Sequence, residues 1–86
     1  MNIKNQILEL LTDSIKSLNL DNENLSVAFS NRPELCDYQS NFAMVLAKKI
    51  GEKPFDLAEK IVKNIKKSDF FEFSAVMPGF INIKIN

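Results

Sequence analysis

The hydrophobic pattern of this 86-residue chain predicts a two-layer α+β domain, in the order helix, strand, helix, helix, strand, strand. Its helices are expected to pack on one face of a small antiparallel or mixed sheet. Three observations predict this. Apolar residues recur at spacings of three and four in three segments, as one face of a helix requires. In three others they alternate, as half-buried strands require. Three strands do not make a stable sheet alone, so the helices must cover one side and leave the other open.

The first helix is expected over residues 3–18, where Ile3, Ile7, Leu10, Leu11, Ile15 and Leu18 share a stripe. The Asn- and Asp-rich run 19–24 reads as a turn. Residues 25–30 alternate, with Leu25, Val27 and Phe29 on one side and Ser26, Ala28 and Ser30 on the other. That pattern predicts a strand, broken by Asn31-Arg32-Pro33.

A second helix is expected over 38–50. Asp37 reads as its N-cap, because a carboxylate accepts from the first free backbone N–H groups. Phe42, Val45, Leu46 and Ile50 form its inner stripe, while Ala43 and Ala47 let a neighbour approach closely. Lys48 and Lys49 suit the negative end of its dipole, and Gly51 suits its stop.

Pro54 opens a third helix, where a missing N–H costs nothing. Leu57, Ala58, Ile61, Val62 and Ile65 face inward, and Lys63, Lys66 and Lys67 fill its last two turns. Two strands follow, over 70–77 and 80–85. Phe71, Phe73 and Ala75 share the core face of the first, and Phe70 caps an edge. Pro78-Gly79 joins the strands and carries a type II signal. Because that turn fits hairpin twist less well than a primed one, a loop longer than two residues or a bulge is expected.

Composition bounds the function. One domain spanning residues 1–86 fits the length. Histidine is absent, which excludes Ser-His, Cys-His and His-metal chemistry within these residues. Two glycines cannot build a glycine-rich phosphate loop, and one cysteine excludes an internal disulfide framework or a cysteine zinc site. No catalytic residue, metal ligand or resident cofactor is expected here, and Cys36 reads as an incidental thiol in a reducing compartment. No apolar run approaches the ~20 residues of a membrane helix, and residues 1–14 lack a signal-peptide layout. Eleven basic residues balance eleven acidic ones, unlike a free-standing nucleic-acid binder. The balance is uneven: residues 1–47 hold three basic and six acidic side chains, residues 48–86 eight lysines and five acids. A one-sided basic surface and an ordinary solvated helix face both fit that skew.

The last strand is the most informative segment. Ile81, Ile83 and Ile85 must take the core side, since a slip of one residue would put all three in water. Phe80, Asn82 and Lys84 then share the outer face. An aromatic ring, an amide and an ammonium spaced two apart suit an unpaired RNA base: the ring stacks, the amide reads an edge, and the ammonium sits by a phosphate. The pattern also admits a plainer reading, in which Phe80 folds back over the hairpin and Asn82 is a polar residue on a wet face.

The segment Asp37-Tyr38-Gln39-Ser40-Asn41-Phe42-Ala43-Met44, continuing to Leu46-Ala47-Lys48, resembles the D-Y-x-[ST/C]-N-x-A-M-x-L-A-K segment of arginyl-tRNA synthetases. Pro54 with Ala58-Glu59 and Ile61-Val62 resembles the P-x-x-I-A-E-x-I-V helix that follows it there. Pro78-Gly79-Phe80-Ile81-Asn82 resembles the G-P-G-F-I-N signature ending the N-terminal additional domain of that family. Order and spacing match over nearly the whole chain. Cys36 and Met77 depart from the pattern, standing where glycines are usual.

The resemblance implies an appendage placed before a class I catalytic domain, contacting the D-loop at the elbow of tRNA(Arg). Phe80 and Asn82 would touch an exposed D-loop base; Lys84 joins them as a candidate tRNA contact through strand alternation alone. Asp37, Tyr38, Asn41, Pro78 and Gly79 would serve the local architecture: Asp37 as a cap, Asn41 as a hydrogen-bonding bracket to a neighbouring loop, Tyr38 with its ring packed and its hydroxyl exposed. ATP and Mg would belong to the catalytic domain of the same chain, of which these residues look like a fragment. The domain is expected to be monomeric, cytoplasmic and not an enzyme on its own. The competing expectation is a protein-docking domain that packs on another domain or subunit through its open sheet face, which an exposed Phe80 also fits.

Overall fold

Two isoleucines of the last strand, Ile81 and Ile83, are almost wholly shielded from solvent, and the sheet is arranged around them. The computed structural model describes residues 2–86. Its elements are helix α1 (Ile3–Ser17), strands β1 (Ala28–Phe29) and β2 (Tyr38–Ser40), helices α2 (Phe42–Ile50) and α3 (Pro54–Lys63), and strands β3 (Phe71–Val76) and β4 (Phe80–Ile85). The α+β class holds, with helices on a sheet. The sheet has four strands rather than the three expected. Its order is β1-β2-β4-β3, and every neighbouring pair is antiparallel.

The added strand corrects the expected start of the second helix. Residues 38–40 are extended, and α2 begins only at Phe42. Tyr38 and Ser40 pair with Ile83 and Ile81, so β2 closes the side of β4 that β3 leaves open. Unpaired backbone groups beside two buried isoleucines would carry a desolvation cost, which this pairing removes. Ser40 takes the capping role assigned to Asp37. Its hydroxyl accepts from the Phe42 N–H at 3.2 Å and donates to the Ser26 carbonyl at 2.7 Å.

The helices form mostly as their patterns require. The Asn2 side chain accepts from the Lys4 and Asn5 N–H groups and caps α1, a role not foreseen for it. Ile7, Leu11 and Ile15 are buried, and the Ser14 hydroxyl donates to the Ile61 carbonyl, tying α1 to α3. In α2 the buried stripe is Phe42, Ala43, Leu46 and Ala47, whereas Val45 and Ile50 are exposed. The two alanines are the contact surface, and the stripe is rotated toward them. Gly51 ends the helix at φ 74°, the left-handed conformation glycine tolerates best. α3 starts with Pro54 in its first turn and stops at Lys63, so Lys66 and Lys67 lie beyond it.

Phe71, Ile81, Ile83 and Tyr38 join Leu57, Ile61, Phe42 and the α1 residues in one core, with Phe73 and Ala75 packed against it. Phe29 departs from expectation. It pairs with Tyr38 on a two-residue edge strand and is 79% exposed, while Val27 is buried. Ile85 is partly exposed at the far end of β4, and Phe70 stands largely in solvent.

Three residues, Met77-Pro78-Gly79, link the paired Val76 and Phe80, in accord with a loop longer than two. The type II turn is not formed: Gly79 does not take a positive φ, and the Met77–Pro78 peptide bond is cis. Glycine is needed there for space. A Cβ on Gly79 would lie 2.6 Å from Pro54 Cβ and 2.7 Å from Met44 Cγ. The turn therefore sits directly against α2 and the start of α3. Gly79→Ala should lower unfolding free energy by about 1–3 kcal/mol through overpacking, read as a reduced midpoint in urea denaturation.

Candidate nucleic-acid interface

Strand alternation sets the composition of the open sheet face. With Ile81 and Ile83 turned inward, Phe80, Asn82 and Lys84 point outward, as do Glu72, Ser74 and Val76 of β3 and Gln39 of β2. Across the sheet, Phe80 stands opposite Val76, Asn82 lies between Gln39 and Ser74, and Lys84 faces Glu72. Phe80 and Asn82 are half-buried and Lys84 is exposed. The Phe80 ring is not sealed under a helix.

Two amides join in the middle of this face. Gln39 Nε2 donates to Asn82 Oδ1 at 2.9 Å. Beside the pair, a cleft of about 400 Å³ is lined by Phe80, Phe29, Gln39, Asn31 and Asn41, with Ser26 and Ala28 between them. Two phenylalanines and three amide residues border it, and no charged residue does. On the other side of the pair a smaller groove, about 190 Å³, is lined by Asn82, Ser74, Lys84, Glu72, Leu35 and Cys36. A larger hollow of about 490 Å³ lies elsewhere, around α3 and the residues before it. Its lining is entirely charged, and Lys60 and Glu52 form an ion pair across it at 3.1 Å. That hollow has neither an aromatic ring nor an amide, and it fits a solvated helix face.

The remaining sequence-selected residues frame the face. Asp37 Oδ2 accepts from the Ile85 N–H at 2.8 Å, and the Asp37 N–H donates to the Ile83 carbonyl at 2.9 Å. Asp37 thus extends the β2–β4 pairing instead of capping a helix. Tyr38 packs its ring on Phe29, with centroids 5.1 Å apart and planes 22° from parallel. Asn41 precedes α2 without a side-chain cap bond and lines the cleft. Pro78 and Gly79 place Phe80 at the start of β4. The Cys36 thiol is buried and donates to Ser30 Oγ at 3.2 Å. In the loop leading to β2, the Arg32 guanidinium donates to Glu34 at 2.7 Å and holds that carboxyl below its usual range. Both side chains are exposed, so the pair adds little stability.

Gln39 was not foreseen as part of this face and enters it through register with Asn82, whereas Phe29, opposite Tyr38, borders the cleft from the edge strand.

A family model described as the arginyl tRNA synthetase N terminal domain matches residues 2–85. The chain belongs to this family. Over 87 aligned residues it is 39% identical to the arginine–tRNA ligase of Alteromonas mediterranea, an alignment covering 100% of the chain and 15% of that relative. It is 37% identical to that of Agathobacter rectalis, covering 95% of the chain and 14% of the relative. Among solved structures, the arginyl-tRNA synthetase of Plasmodium falciparum superposes with a TM-score of 0.84 at 28% identity, over 98% of this chain and 16% of that one. The Thermus thermophilus arginyl-tRNA synthetase shares the fold, with a TM-score of 0.86 at 20% identity over 99% of this chain and 14% of that one. The chain therefore spans about one seventh of the length of the relatives it matches. As an arginyl-tRNA synthetase N-terminal domain it is not the catalytic part of the ligase. No helix among its described residues is long and apolar enough to cross a membrane.

Removal of the Asp37 carboxylate should loosen the far end of β4. Asp37→Ala is expected to cost about 1 kcal/mol and to speed hydrogen exchange of the Ile85 amide severalfold, with the amides of Ile81 and Ile83 little changed.

Proposed function

We propose that this chain is the tRNA-recognition appendage of an arginyl-tRNA synthetase, contacting the D-loop at the elbow of tRNA(Arg). It helps position the tRNA for ATP-dependent arginylation by the catalytic domain of the same chain, where ATP and magnesium act. The domain works in this role as a monomer in the cytoplasm, whose reducing conditions suit the unpaired Cys36.

The observation carrying this reading is the pairing of a half-buried, outward Phe80 with an outward amide on an otherwise open sheet face. A partly exposed ring on an open sheet face offers a stacking surface to an unpaired base. The amide two residues along lies within reach of that base's edge. Lys84 supplies one cation on the same strand. Charge on this face is otherwise sparse, so the domain contributes orientation more than affinity.

In the full-length enzyme, Phe80→Ala should raise KM for tRNA about 5- to 150-fold, the equivalent of one stacked base at ~1–3 kcal/mol. Asn82→Ala should raise it less, and KM for ATP and arginine should stay unchanged. An unchanged KM for tRNA, or equal losses for all three substrates, overturns the reading. Amide shifts on tRNA addition should centre on residues 78–84. Shifts appearing only on addition of the catalytic domain would instead indicate a docking face.

A further inference from the structure

Recognition of a base edge needs amide atoms with a fixed orientation, because a free carboxamide can turn its oxygen or its nitrogen toward the ligand. Asn82 alone does not meet that requirement: its side chain sits on an open strand face with solvent beyond it. Gln39 narrows that freedom, because two amides bonded to each other can turn only together. The two residues are direct partners in the β2–β4 register, and Gln39 Nε2 donates to Asn82 Oδ1 at 2.9 Å. Asn82 is left with both Nδ2 hydrogens to donate. Gln39 is left with its Oε1 to accept and one remaining N–H. The pair therefore shows a donor and an acceptor side by side, the complement of a base edge that carries an acceptor next to a donor.

Position supports a direct part for Gln39. It lines the cleft beside Phe80, whereas Asn82 lines the groove on the other side of the pair. A base stacked on Phe80 in that cleft meets Gln39 directly, with Asn82 bonded to it from the neighbouring groove. We propose that Gln39 is a further specificity-determining residue for tRNA, acting with Asn82 as a single two-amide reading edge for the base stacked on Phe80. This rests on the nucleobase reading given above.

The test is a double-mutant cycle in the full-length enzyme with a tRNA(Arg) transcript, using Gln39→Met, Asn82→Ala and the double variant. Methionine keeps the stem length of Gln39 and removes its polar atoms. Gln39→Met is expected to raise KM for tRNA about 2- to 10-fold, with kcat and the melting temperature unchanged. The double variant is expected to be no worse than Asn82→Ala alone, because each amide needs the other. Gln39→Glu, which cannot donate to Asn82, should also raise KM. A wild-type KM in Gln39→Met and Gln39→Glu, or effects that multiply fully in the double variant, overturns the inference and leaves the base-contact reading standing. A wild-type KM in both Phe80→Ala and Asn82→Ala overturns the two together.

Discussion

Burial of Ile81 and Ile83 governs the rest of this structure. Each contributes roughly 1.5–3 kcal/mol by leaving water, and both belong to a strand in which neighbouring side chains point opposite ways. The core therefore dictates what the surface shows. Once the isoleucines are under α2 and α3, the chain has no freedom to hide Phe80 and Asn82 on the same side. The strand pairs around β4 follow from the same constraint, since a buried central strand needs partners on both of its edges. β3 provides one through a short turn. β2 provides the other from a segment more than forty residues earlier.

The lysines and the ring-and-amide face occupy different parts of the molecule. Seven of the eight lysines in the second half lie on α2, on α3 or in the segments flanking α3, and only Lys84 stands on the sheet. Stacking and amide hydrogen bonds are short-range and insensitive to salt, whereas phosphate attraction is long-range and falls steeply with salt. On the proposed reading, a sheet face built from a ring and amides suits discrimination between bases more than long-range attraction. The neutral total charge fits a module that works beside other binding surfaces rather than by itself.

Much of this was legible in the residues. Long periodic segments gave the three helices and the final hairpin, and the alternation of β4 gave the outward position of Phe80, Asn82 and Lys84. The short strand β2 was not legible. Three residues hold too few alternating positions to show a period, and Asp37 before them carries a chemically ambiguous signal. A carboxylate accepts a backbone N–H at a helix start or at a strand end, and here its partner is Ile85, far away in sequence. Gln39 was missed for the same reason, because its importance lies in a register with Asn82 that no local pattern encodes. The Pro78-Gly79 turn misled in another way. Local turn preferences assign that glycine to backbone freedom, whereas the fold uses it for its missing side chain.

That glycine also bears on how the face holds its shape. Because Gly79 lies against Pro54 and Met44, the residue that follows it is located by two helices as well as by its own strand. The start of β4 is thereby pinned to the helical layer. On the proposed reading, a base stacking there would find its platform already in place, with less ordering entropy to be lost on association.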